Sequence, residues 1–251
     1  MLRTSILLAL LALTAPAQAH FVWVVVQPNE KGQPTANVYF SELAETDDAA
    51  LLDKVAPIKV WSSDAQGTAS APLKLTKEEH KDGGGAWVAP LPSGSEATLA
   101  GTINYGVLER RGETFLLNYH ARYLDGSAAN LEKLARNGAL PLEVVPYLAG
   151  PDSRVQVLWQ GKPVAAGEVV VDDAAGKNHK LTTDEQGFAS LNLSQPGLYS
   201  IRAKWVVSEA GKQDDKEYTK ANHYSTLALR VSSPLPSTKA DAPTSDAKAD
   251  R

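Results

Sequence analysis

The chain contains no cysteine among its 251 residues. That absence removes disulfides, thiolate-ligated zinc, iron–sulfur clusters and thiol catalysis together, and with them the lipidated cysteine of a lipoprotein. Long apolar runs are missing too. The stretch Ile6 to Leu13 is far shorter than the roughly 20 residues a membrane span needs, and nothing later is apolar enough to serve. Basic residues are outnumbered, 25 Lys and Arg against 29 Asp and Glu, which argues against the basic stripe that nucleic acid requires. Catalytic signatures are also absent. There is no G-x-S-x-G elbow and no H-E-x-x-H, and Gly83-Gly84-Gly85 lacks the Lys and Ser/Thr of a phosphate loop.

What is present begins with the three-part pattern of a secretory signal. Arg3 is a short positive region, Ile6 to Leu13 an apolar core, Thr14-Ala15-Pro16 a helix breaker, and Ala17-Gln18-Ala19 a small-x-small cleavage box. Residues 1–19 are therefore expected to be a signal peptide, and the mature protein to start at His20 in the periplasm or outside the cell. Losing Arg3 leaves 24 basic residues against 29 acidic ones, a formal charge of −5 in place of −4.

The remaining sequence reads as all-β. Phe21 to Val26 is a β-branched and aromatic run ended by Gln27-Pro28-Asn29, and Ala36 to Ser41 alternates as a second strand. Thr46 to Val55, with Thr46 as cap and acids in its first turn, predicts a short helix. Short strands are expected over Pro57–Ser62, Pro72–Leu75, Gly85–Pro90 and Ser95–Ala100. Gly101–Leu108 and Glu113–His120 make the clearest hairpin, turning at Glu109-Arg110-Arg111-Gly112. Ser127 to Asn137 predicts a second short helix ended by Gly138. Pro141 to Pro146 reads as a hinge. Beyond it, short strands with a turn about every 8–12 residues argue an immunoglobulin-like sandwich. The expected organisation is thus two β-sandwich-like domains: a β-rich one over 20–140 with one or two short helices, and the immunoglobulin-like one over 146–232. A disordered Pro/Ser/Thr/Lys/Asp tail is expected over 233–251.

Two stretches carry resemblances. Thr183-Asp184-Glu185-Gln186-Gly187 and Gly197-Leu198-Tyr199-Ser200-Ile201-Arg202-Ala203 resemble the turn and strand of carboxypeptidase regulatory-like sandwiches. Across the whole mature chain, Ala19-His20-Phe21-Val22-Trp23, Tyr105-Gly106-Val107, Leu117-Asn118-Tyr119-His120, Leu142-Glu143-Val144-Val145-Pro146 and His223-Tyr224-Ser225-Thr226-Leu227 follow in order. In that order and spacing they resemble the NikM-like periplasmic nickel-uptake accessory proteins, much of which is a domain of unknown function. The resemblance implies extracytoplasmic binding of nickel or cobalt in support of uptake, beside a membrane transporter, and no established reaction.

Three histidines suit that chemistry. A mature N-terminal His20 offers its α-amine and Nδ1 to one ion, closing a six-membered chelate. His120 ends an apolar strand and His223 opens the last one, so the three could share one rim, with Tyr119, Tyr123 and Tyr224 as hydrogen-bond partners of metal-bound rings. Nitrogen donors of this kind suit copper, nickel and zinc, and the resemblance puts nickel or cobalt ahead of copper or zinc. Two rival readings use the same residues: a copper histidine-brace protein or oxygenase, and a structural or carbohydrate-binding sandwich in which the histidines simply pack. His80 and His179 sit in charged loops and read as solvated surface. The pairs Asp47/Asp48, Asp172/Asp173 and Asp214/Asp215 read as polar turns, and Trp23, Trp61, Trp87, Trp159 and Trp205 as core.

Overall fold

A computed structural model describes residues 20–232, except 93, 95, 96, 128–130, 137, 149–151 and 194. The expected signal peptide and tail lie outside the described residues, as do parts of the second helix and of the strand drawn at 95–100. The first half contains β1 (Phe21–Pro28), β2 (Pro34–Ser41), β3 (Asp47–Asp48), β4 (Lys59–Ser62), β5 (Thr76–Glu79), β6 (Gly84–Pro90), β7 (Thr98–Arg110) and β8 (Glu113–Asp125). The second half contains β9 (Leu142–Tyr147), β10 (Arg154–Trp159), β11 (Lys162–Pro163), β12 (Glu168–Asp172), β13 (Asn178–Thr182) and β14 (Phe188–Ser190). It closes with β15 (Gly197–Val207), the small pair β16 (Gly211–Gln213) and β17 (Lys216–Tyr218), and β18 (Ala221–Val231).

The fold is nearly all β, as expected, and its centre is a seven-stranded sheet in the order β13-β12-β15-β18-β8-β7-β4. One face carries the sheet β1-β2-β6-β3, with β5 beside β6; the other carries β11-β10-β14, with β9 beside β10. Two apolar cores result. Trp23, Val24, Val38 and Phe40 pack with Tyr119, Ala121 and Tyr123 on one face, while Val144, Val155 and Val157 pack with Ile201, Leu227 and Leu229 on the other. The two-residue period of a strand sorts them: Tyr119, Ala121 and Tyr123 point one way, and their even-numbered neighbours the other.

Strand β1 lies at a sheet edge, yet Val22 to Val25 are fully buried. Its unpaired carbonyls are met by side chains of the central sheet. Tyr119 donates to His20 at 3.1 Å, Thr226 to Val22 at 2.6 Å and Arg230 to Val26 at 3.4 Å. An edge capped in this way offers no template for another strand.

Some expectations shift. The helix predicted over Thr46 to Val55 is a 3-10 helix over Ala49–Val55, capped by Asp48, whose carboxylate accepts from the Ala50 amide at 2.9 Å. Thr46 serves the sheet instead, accepting from the Gly85 amide. Residues 72–75 are not a strand, and the strands drawn at 95–100 and 101–108 run on as one, β7. Of the second helix, the described part is α1 (Leu131–Ala135), which buries Leu134. The segment expected to be a hinge is β9, fully paired with β10. The two halves also share a sheet, because β18 runs parallel to β8 over ten residue pairs from Ala221↔Leu116 to Arg230↔Asp125.

In the second half, two sheets face each other as an immunoglobulin-like sandwich. The Thr183–Gly187 turn works as its sequence suggests. Asp184 accepts from the amides of Gln186 and Phe188, and Gly187 has φ 77° with its α-carbon close to the Val157 carbonyl, where a Cβ would come within 2.8 Å.

Candidate metal centre

The β8–β18 pairing decides where the histidines go. In register, Ser225 faces His120 and His223 faces Asn118, so both imidazoles emerge on the face covered by β9–β10–β14. They meet there. His120 Nε2 and His223 Nδ1 are 3.0 Å apart, with ring planes 9° from parallel. Trp159 closes over His223 with ring centroids 4.5 Å apart, and Trp205 is its cross-strand neighbour on β15.

The protons on these rings follow from the chain of contacts. Thr102 Oγ1 donates to the Tyr119 carbonyl at 3.3 Å, so it accepts from His120 Nδ1 at 3.1 Å. That leaves a lone pair on His120 Nε2, into which His223 Nδ1–H donates, and places a second lone pair on His223 Nε2. Burial holds both rings neutral: it lowers the His120 pKa to about 3, with the neighbouring His223 adding to the effect, and the His223 pKa to about 4. A neutral imidazole is the form that ligates a metal.

His20 is elsewhere. Its carbonyl takes the Tyr119 hydroxyl, and Tyr119 points to the face opposite His120. The His20 ring lies against Phe40 at 5.5 Å between centroids, with Nε2 3.3 Å from Asp47 Oδ2. The rim expected to unite His20, His120 and His223 therefore holds only the last two together. Among the described residues no group of three or more His, Asp or Glu gathers to surround an ion. The reason is the side-chain alternation of β8 and β18, which a sequence shows only once pairing is known. Tyr119 and Tyr224 leave on the His20 face and Tyr123 takes Arg230, so none of the three partners the imidazole pair; Thr102 does.

The tyrosines build something not anticipated. His20, Phe21, Phe40, Tyr105, Phe115, Tyr119 and Tyr224 wall a cavity of about 320 Å³, with Lys54, Glu109 and Arg110 at its mouth. Tyr105 is placed there by a bulge in β7, where the register steps from Asn104 to Gly106 and Gly106 takes φ 115°. The alternating aromatics at 105, 115 and 119 were the available signal; their common face was not.

His179 bonds Asp173 at 2.9 Å and Arg202 bonds Asp172 at 3.0 Å. His80 lies beside Glu30, Glu78, Glu79 and Asp82 on the surface. Trp23 is fully buried and Trp87 donates to the Leu52 carbonyl, as core tryptophans should.

Residues 17–207 match a family model described as a domain of unknown function, DUF4198. The chain belongs to this family. The matched region of the family member includes His20 and His120 and stops before β18, which carries His223. No curated protein matches. Among solved structures, a pullulanase complexed with maltotriose from Anoxybacillus sp. LM18-11 is similar at 12% identity and a TM-score of 0.19, over 74% of this chain and 24% of that one. A titin I-band fragment, I67–I69, is similar at 9% identity and a TM-score of 0.16, over 84% of this chain and 64% of that one. The chain thus spans about a quarter of the pullulanase and under two thirds of the titin fragment.

Proposed function

We propose that this protein is an extracytoplasmic, periplasmic or secreted metal-binding protein that holds a transition-metal ion as cargo and supports its uptake by a membrane transporter. Nickel or cobalt is the cargo that the NikM-like resemblance implies, and the signal-like segment before His20 supports the location. The observation that carries the reading is the pair of neutral imidazole nitrogens, His120 Nε2 and His223 Nδ1, facing each other 3.0 Å apart.

The pair suits a metal for two reasons. Two bonds of roughly 2.0–2.1 Å to nitrogens this far apart enclose an angle of about 91–97°, nearer the cis angle of tetragonal or octahedral ions than that of tetrahedral zinc. Thr102 also fixes the His120 tautomer by accepting from Nδ1, the outer-contact arrangement typical of a ligating imidazole. Ligation by His223 Nδ1 moves that ring's proton to Nε2, so no proton is lost. Calorimetric titration with nickel and cobalt tests the reading. Binding should weaken at least about tenfold in His223→Ala and be unchanged in His179→Ala. Full binding by the His120→Ala/His223→Ala double variant would end it.

A second reading has its own observation. Asp47 beside His20 Nε2 favours the proton there and leaves Nδ1 free to chelate with an α-amine released by cleavage between Ala19 and His20. That is half of a copper histidine brace, bordering a cavity. Copper(II) electron paramagnetic resonance decides it: the two-nitrogen signal should appear in a chain starting at His20 and vanish in one starting at Ala19.

A further inference from the structure

We propose that the aromatic cavity beside His20 binds a small aromatic carboxylate, independently of either metal reading. The walls are ring faces and edges. Phe40 stacks on Tyr105 with centroids 5.8 Å apart, Tyr105 and Tyr119 meet edge-on at 5.7 Å, and Phe21 meets Tyr224 edge-on at 5.3 Å. A cavity of about 320 Å³ lies within the range of small-molecule sites and accepts one or two fused rings. Stacking on such walls selects a planar, apolar body.

The mouth sets the charge. Lys54 and Arg110 line it and form no ion pair among the described residues, while Glu109 is the single acidic residue lining the cavity. A cation is the ligand aromatic cages often take, but here the protein already supplies cations to the ring faces. Lys204 lies 5.5 Å over Tyr224, and Arg202, whose charge is paired with Asp172, 4.9 Å over Phe21. With Lys54 and Arg110 set against Glu109 alone at the mouth, an anion is attracted there and a further cation repelled. The Tyr105 hydroxyl has no hydrogen-bond partner among the described residues, so it is a donor available to a carboxylate at the mouth.

The bulge supports the assignment. Tyr105 occupies the extra position in β7, and Gly106 beside it contributes no side chain, so a large ring is aimed into the space and nothing fills it. Bulges that re-aim one side chain recur beside binding sites.

The test uses the full chain, kept metal-free with a chelator, and three matched probes: 2-naphthoate, 2-naphthamide and 2-naphthylmethylammonium. Calorimetry should show naphthoate binding about fivefold to tenfold more tightly than the amide, the ammonium weakest of the three. Lys54→Ala/Arg110→Ala, two exposed and unpaired positions whose loss leaves the fold intact, should bring naphthoate down to the affinity of the amide and leave the amide unchanged. Tyr105→Ala should weaken both naphthoate and amide, naphthoate the more because it also loses the hydroxyl donor. Equal affinity for all three probes, no naphthoate binding, or a double variant that binds naphthoate as the parent does would overturn the proposal. Because the probes carry no metal and His120 and His223 lie on the opposite face, none of these results bears on the metal pair.

Discussion

Arg122 and His120 point from the same face of β8, and each shows what burial does to a titratable group. Arg122 is 1% exposed, donates to the Leu134 carbonyl at 3.0 Å and pairs with Glu143 at 3.1 Å. Burial lowers its pKa to about 10 against the opposing pull of Glu143, and raises that of Glu143. Removing one partner strands the other charge in the interior. Arg122→Met should therefore cost about 3–5 kcal/mol in urea denaturation, and Arg122→Met/Glu143→Leu should recover most of it. The imidazole pair makes a pH prediction. Both rings have folded pKa values, about 3 and about 4, below the ordinary 6.5. The unfolded chain therefore binds protons first, so their contribution is fully present above pH 6.5 and is lost as pH falls from there towards about 3. The urea midpoint should drop across that window, and the drop should shrink in His120→Gln/His223→Gln.

At the scale of single elements, β7 and β8 carry both candidate sites on opposite faces. The hairpin turns through Arg111 and Gly112, with φ 54° and 77°, a two-residue turn of the primed kind that suits the twist of its strands. The bulge at Tyr105 depends on Gly106, which no side chain crowds but whose φ of 115° disfavours any Cβ. Gly106→Ala should cost about 1 kcal/mol in thermal or urea unfolding and weaken naphthoate binding, since Tyr105 loses its seat. Much of this was legible in advance. The β-branched run at 21–26, the Arg111-Gly112 turn and the Asp184–Gly187 turn carry their structure in local chemistry. The helix start was misplaced because Thr46 and Asp48 are both good caps, and only pairing of Asp47 and Asp48 with β6 chooses between them. The bulge left no local mark beyond one glycine. The site was half legible: residue type singled out His120 and His223, but β8 runs on to Asp125, so His120 lies within its strand rather than at the expected end, and the face of each depends on pairing partners about a hundred residues away.

For the whole molecule, the parallel pairing of β8 with β18 is the decisive contact. It joins the halves drawn at 20–140 and 146–232 inside one sheet and brings His223 to His120. A fragment ending at residue 140 would expose the β18 side of β8 and lose the Thr226 and Arg230 side chains that cap β1. It should give no cooperative unfolding transition by circular dichroism, whereas two independent domains would each give one. The same joining makes metal binding a property of the intact chain. The most direct measurement is NMR of the five imidazoles during titration of the whole protein with nickel, whose paramagnetism shifts and broadens the resonances of the rings that bind it. The account predicts that one equivalent shifts the ring nitrogens of His120 and His223 and leaves those of His80 and His179 in place. Unmoved His120 and His223 resonances at saturating nickel, or a shift confined to His80 and His179, would contradict it.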